Sequence, residues 1–158
     1  MGLSPQQHSA GLFVSARYRV LRKLGSGSLG TVYLAHDTAS DCRVALKVLR
    51  AERLGPEVLE QMQSEFQAIA SLRHPQIAAA FDFGYTEEAR VPFYTREYIE
   101  GTPLAPGPPG LEGQSSPRTF LSPFFDLLDA LHYLHAHEIL HLDIHAGKIG
   151  RASCRERV

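Results

Sequence analysis

Apolar and polar positions alternate between two rhythms along this chain, and each rhythm predicts an element. Tyr18-Arg19-Val20-Leu21-Arg22-Lys23-Leu24 reads as a strand, a glycine-rich turn follows, and Thr31-Val32-Tyr33-Leu34-Ala35 resumes as a second strand. Arg43-Val44-Ala45-Leu46-Lys47-Val48-Leu49 makes a third. Pro56 suits a first helical position, and Val58, Met62, Ile69 and Leu72 then recur at helical steps, with Phe66 beside them, until His74-Pro75 stops the pattern. That predicts one amphipathic helix. Two more short strands are expected from Ile77 to Phe83 and from Val91 to Ile99. The composition then changes to Pro103-Leu104-Ala105-Pro106-Gly107-Pro108-Pro109-Gly110, a linker. Ser116-Pro117 reads as a cap and first turn of a long helix with an apolar stripe of Phe120, Phe124, Leu127, Leu128, Leu131 and Leu134, its start kinked by Pro123. Residues 1–16 carry no period and predict a loosely held lead-in.

This order predicts an α+β lobe, with five strands and one helix, joined to a helical one. The expected divisions are a lead-in at 1–16, a first lobe at about 17–100, a Pro/Gly linker at 101–115, and a long helix with its exit loop at 116–147. With 44% apolar and 21% charged residues in 158, the chain has a globular composition with enough length for one modest core. Its net charge of -1 comes from residues of both signs spread along the chain, which leaves no basic stripe for nucleic acid. No apolar run is long enough to span a bilayer, and the first residues lack the order of a signal peptide, so a cytoplasmic location is expected. Cys42 and Cys154 stand far apart and suggest neither a disulfide framework nor a thiolate zinc site.

Gly25-Ser26-Gly27-Ser28-Leu29-Gly30 matches GxGxxG, a pattern that dinucleotide-binding turns share. Those turns run from strand into helix, whereas Val32, Tyr33 and Leu34 are β-formers, so the glycines are expected at a hairpin tip. Glycine suits that tip because backbone amides must approach phosphate oxygens closely and some residues must take unusual dihedrals. Val44-Ala45-Leu46-Lys47 sets a lysine among apolar neighbours, where an ammonium needs an anionic partner. Glu65, between Met62 and Ile69, lies on the inward face of the predicted helix and is the candidate.

With these motifs in this order the chain resembles eukaryotic-type (Hanks-type) serine/threonine protein kinases from about residue 17 to 147. The resemblance implies a protein-kinase-like fold, with a complete first lobe and the start of the helical second lobe. It implies an ATP-dependent transferase that moves the γ-phosphate to a protein Ser/Thr hydroxyl, with ATP and Mg2+ as cofactors and an unidentified protein as substrate. Leu24 through Gly30, Val32, Ala45 and Lys47 would hold ATP, Lys47 paired with Glu65. In Phe93-Tyr94-Thr95-Arg96-Glu97-Tyr98-Ile99, backbone groups of Glu97 and Ile99 would bond adenine, and Arg96 takes the gatekeeper position where the family usually has an apolar residue.

His141-Leu142-Asp143-Ile144-His145-Ala146-Gly147-Lys148 resembles the catalytic loop, with Asp143 orienting the attacking hydroxyl and His141 beginning the motif. Leu142 replaces its arginine, His145 its lysine, and Lys148 its magnesium-binding asparagine, so no metal ligand is expected here and the chain as written is expected to be inactive. Ile149 to Val158 resembles a translated sequencing adapter, which makes 148–158 an expected non-native tail on a truncated domain. Two other readings follow from the departures. His145 and Gly147 also suit a small-molecule kinase of aminoglycoside or choline kinase type, and Arg96, Leu142, His145 and Lys148 suit a pseudokinase scaffold. His132, His135, His137, His141 and His145 are close in sequence, but no common metal focus is forced.

Overall fold

The computed structural model describes residues 14–28, 30–50, 55–88, 90–103, 117–142, 144–145 and 148–155, without the side chains of 65, 102–103, 117–121 and 151–155. Two compact units are present among them. The first takes in residues up to Leu72 and Ala79–Tyr98, and the second Arg73–Ala78 and Ile99–Arg155.

In the first unit, β1 (Tyr18–Ser26), β2 (Gly30–Asp37), β3 (Cys42–Leu49), β4 (Ala80–Tyr85) and β5 (Pro92–Glu97) form one antiparallel sheet in the order β1-β2-β3-β5-β4. Helix α1 (Pro56–Ala70) begins with proline at its first position, as expected. Strand residues alternate between faces, and so the sheet builds two apolar layers. Tyr18, Val20, Ala35, Val44, Leu46 and Phe93 are buried together on one side, with the Tyr18 and Phe93 rings edge to face at 5.6 Å. On the other side Met62 of α1 packs with Leu49 and Val91, while Phe66 reaches the rings of Phe83 and Tyr94 at 5.7 and 6.3 Å. Burying each large side chain contributes about 1.5–3 kcal/mol, which is why the helix stays on this face.

Three expectations need correction here. The lead-in is held from Val14, which is buried in the first apolar layer, and the Ala16 N–H donates to Glu87 Oε1 at 2.8 Å. The fourth strand starts at Ala80 because His74-Pro75-Gln76-Ile77 closes a turn, with the Ile77 N–H on the His74 carbonyl at 3.1 Å. The first unit, expected to take in the whole of about 17–100, ends at Tyr98 and gives up Arg73–Ala78 to the second.

The second unit holds β6 (Ile99–Pro103), α2 (Pro117–Ala136) and β7 (Gly150–Arg155), with β6 and β7 antiparallel. Residues 101–103 of the expected linker therefore belong to β6, and the rest of it lies outside the described residues. The arginine-rich tail forms a strand although Ala152 and Cys154 are its only apolar residues and neither is large, because a two-stranded ladder is carried by backbone groups. Pro123 lies inside α2. Of the expected stripe, Leu134 is buried, while Phe124 and Leu128 are exposed. The stripe is narrower than its periodicity suggests.

α2 ends in a Schellman arrangement. The Ile139 N–H reaches the Leu134 carbonyl and the Glu138 N–H that of His135, both at 3.0 Å, with Glu138 at φ 59. Behind it, Tyr133 holds the 73–78 turn. Its hydroxyl accepts the Arg73 N–H at 3.1 Å, its ring lies 4.7 Å from that of His74, and His74 Nε2 meets Asp129 Oδ2 at 3.3 Å.

Candidate nucleotide-binding and catalytic residues

The glycine-rich segment joins β1 to β2, and the Gly27 N–H donates to the Gly30 carbonyl at 2.9 Å, so the glycines sit at a hairpin. Leu24, Ser26, Gly27 and Ser28 are exposed, and Leu29 lies outside the described residues. The three glycines differ in what they tolerate. A Cβ on Gly30 would overlap the Val48 carbonyl oxygen, whereas Gly25 and Gly27 have no heavy atom within 4 Å of that position. None of them takes a positive φ, so unusual dihedrals are not the reason for glycine at this tip. Packing requires Gly30; open space surrounds the other two.

Strand register brings the next residues together. Val32 stands opposite Lys47 and Leu34 opposite Ala45 across β2 and β3, while Ala45 faces Arg96 and Lys47 faces Tyr94 across β3 and β5. Directly opposed residues share a face, so Val32, Ala45, Lys47, Tyr94 and Arg96 form one patch on the α1 side of the sheet. Arg96 is flanked by small neighbours, Ala45 on one side and Ala80 on the other. The ammonium of Lys47 lies 5.6 Å from the centroid of the Tyr94 ring. Glu65 belongs to α1, but its side chain, and with it the expected ion pair to Lys47, lies outside the described residues.

Glu97 is buried on the opposite face. Its Oε2 accepts the Ala79 N–H at 3.2 Å and its own N–H donates to the Ala79 carbonyl at 2.8 Å, so the residue is clamped to the chain before β4. Ile99 opens β6 in the second unit.

In the second unit His141 and His145 are exposed, and Asp143 lies outside the described residues. Leu142 is 89% exposed and held at φ 56, an uncommon conformation for a non-glycine residue immediately before Asp143. Lys148 is exposed, with its N–H on the His145 carbonyl at 2.9 Å. Among the described residues no group of three His, Cys, Asp or Glu side chains converges as a metal site.

Sequence reading passed over the strongest polar cluster. Arg17 grips Asp37 with two nitrogens, at 2.6 and 2.7 Å, and reaches Asp82 at 3.4 Å, while the Tyr18 hydroxyl donates to Asp82 at 3.0 Å. The Arg17 bonds hold the Asp37 carboxyl down to about 2, and burial pushes the Tyr18 hydroxyl up to about 12. This cluster ties the start of β1 to β2 and β4.

The protein kinase domain family matches residues 18–149, and the chain belongs to that family. Its relatives identify the branch as Hanks-type serine/threonine kinase domains, present here in part. It is 33% identical to the serine/threonine-protein kinase PrkC of Bacillus subtilis, over 83% of this chain and 20% of that protein. It is likewise 33% identical to PknA of Mycobacterium tuberculosis, over 88% of this chain and 33% of PknA. The solved kinase domain of M. tuberculosis PknI superposes with a TM-score of 0.69 at 26% identity, covering 97% of this chain and 60% of that one. The chain thus spans a third or less of these two curated relatives. Among the described residues, no helix is long and apolar enough to cross a membrane.

Proposed function

We propose that this chain carries the ATP-gripping half of a kinase that transfers the γ-phosphate of ATP to a serine or threonine hydroxyl of a protein, in the cytoplasm where ATP is available. The observation that carries the reading is the shared face of Val32, Ala45 and Lys47, continuous through the sheet with the hairpin of Gly25, Gly27 and Gly30. Apolar Val32 and Ala45 suit a purine ring, and the ammonium of Lys47 suits phosphate oxygens. Ser26, Gly27 and Ser28 are exposed, and with open space around Gly25 and Gly27 the hairpin tip suits close approach of a phosphate chain, although the Gly27 N–H is already committed to the Gly30 carbonyl.

In this reading Glu65 pairs with Lys47 and keeps its ammonium directed. Glu97 has already committed its N–H to Ala79, so its contribution to adenine falls to the carbonyl, and Ile99 contributes an N–H. Asp143 accepts the proton of the substrate hydroxyl, with His141 fixing the loop. ATP supplies the phosphoryl group when bound. Magnesium does not fit the residue present at 148, because a lysine ammonium offers no lone pair to a cation. The chain as written therefore binds nucleotide without turning it over.

Calorimetric titration with ATP tests this. ATP is expected to bind the chain and to lose at least about tenfold in affinity in Lys47→Met, with adenosine affected little. Equal ATP affinity in both would overturn the assignment. A second reading, a kinase-like scaffold acting through partners, is favoured by Lys148 together with the arginine at 96. Absence of ATP binding in a folded chain would select it.

A further inference from the structure

Lys47 and Tyr94 are direct cross-strand partners in the β3–β5 ladder, and the lysine Nζ lies 5.6 Å from the centroid of the tyrosine ring. This falls within the roughly 6 Å over which a ring quadrupole attracts a cation. The ring is held from the helix side. It lies 6.3 Å from the Phe66 ring of α1, packs against the cluster of Leu49, Met62 and Val91, and through Phe66 connects to Phe83 of β4. A lysine stem carries roughly 2 kcal/mol of rotamer entropy, so an ammonium on a half-buried strand face does not stay in one place without a partner. Tyr94 is such a partner among the described residues, and it acts beside Glu65, whose side chain lies outside them.

We propose that Tyr94 is a positioning residue for Lys47: the ring keeps the ammonium on the face shared with Val32 and Ala45, and Phe66 links that position to the seating of α1. An aliphatic side chain of similar volume would fill the same apolar cluster but would offer no ring face to the cation. Phenylalanine would offer one. The aromatic character of residue 94 is therefore the variable that matters, and its hydroxyl is not. The contact stands on geometry alone; its consequence for phosphate binding rests on the reading of Lys47 given above.

The test uses the whole chain, whose only lysines are Lys23, Lys47 and Lys148. Reductive methylation with carbon-13 formaldehyde gives one dimethylammonium signal per lysine, and Lys47 is assigned by its loss in Lys47→Arg. The Lys47 signal is expected upfield of exposed Lys23 in the parent and in Tyr94→Phe, shifted by the ring current, and beside Lys23 in Tyr94→Leu and Tyr94→Met. A Lys47 signal already beside Lys23 in the parent, or unmoved in either folded aliphatic variant, overturns the proposal. The functional arm measures ATP and adenosine separately. Tyr94→Leu is expected to weaken ATP by about 2- to 5-fold, to leave adenosine unchanged, and to have no effect in a Lys47→Met background. An upfield Lys47 signal in a chain that binds no ATP supports the contact and overturns the nucleotide reading instead.

Discussion

Arg17 and Asp37 form a two-pronged ion pair, Nε to Oδ1 at 2.6 Å and a terminal nitrogen to Oδ2 at 2.7 Å, across the start of β1 and the end of β2. The Asp37 side chain is 5% exposed and also accepts the Ala39 N–H and the Ser40 hydroxyl, so its charged form is fully bonded only in the fold. Its folded pKa, about 2 against an ordinary 3.8, is depressed. The stabilisation is therefore present above 3.8 and is lost as pH falls through about 2. With Arg17 43% exposed and partly screened, the contribution is about 1 to 2 kcal/mol. Urea midpoints at pH 7 and pH 2.5 are expected to differ less in Asp37→Asn than in the parent; an identical acid dependence would count against the pair.

Tyr133 offers a second check, confined to the second unit. Its hydroxyl accepts the backbone N–H of Arg73 at 3.1 Å, and its ring lies tilted against those of His74 and His137, at 4.7 and 4.2 Å. Tyr133→Phe keeps the ring contacts and removes one acceptor, so a loss of about 1 kcal/mol is expected, whereas Tyr133→Ala removes both and is expected to cost about 3 kcal/mol or more. Equal losses in the two variants, measured by denaturant unfolding, would mean that the hydrogen bond rather than the ring holds the turn.

Glu138 stands where the chain leaves α2 with φ 59, a position that favours glycine because a Cβ crowds the carbonyl there. The two capping bonds around it use only backbone atoms and survive substitution. Glu138→Gly is expected to raise stability by about 0.5 to 1 kcal/mol, and Glu138→Val to lower it by a comparable amount. Thermal midpoints that move in the opposite order would refute the strain.

Much of this fold was legible because strands and helices keep their own periods. The five strands of the first sheet, α1 with Met62 and Phe66 inward, and the hairpin position of Gly25 to Gly30 all follow from local pattern. What escaped depends on register. Nothing in the sequence places Tyr94 opposite Lys47, since a shift of one residue would put Phe93 or Thr95 there instead. The same holds for Arg17 with Asp37 and Asp82, which are far apart in sequence and meet only once the sheet is assembled. The strand at Gly150–Arg155 was missed because its segment holds no large or β-branched apolar residue to signal it, while its ladder with β6 uses backbone groups. The role of Asp143 and the pairing of Glu65 with Lys47 rest on motif resemblance alone.

The glycines of the hairpin separate folding from binding. At Gly30 an added methyl group meets the Val48 carbonyl and the Leu49 backbone, which cannot yield without moving β3. Gly30→Ala is thus expected to destabilise the first unit by about 2 kcal/mol. At Gly27 the same methyl group meets open space, so Gly27→Ala is expected to leave unfolding within about 0.5 kcal/mol of the parent. If phosphate oxygens approach the amides there, however, the methyl group stands in their path, and ATP affinity falls while adenosine affinity does not. Unfolding and titration on the two variants give a double dissociation: Gly30→Ala loses stability, and Gly27→Ala loses ATP alone. A Gly27→Ala chain that binds ATP as the parent does would remove the hairpin from the phosphate site, leaving Lys47 as its remaining tested anchor.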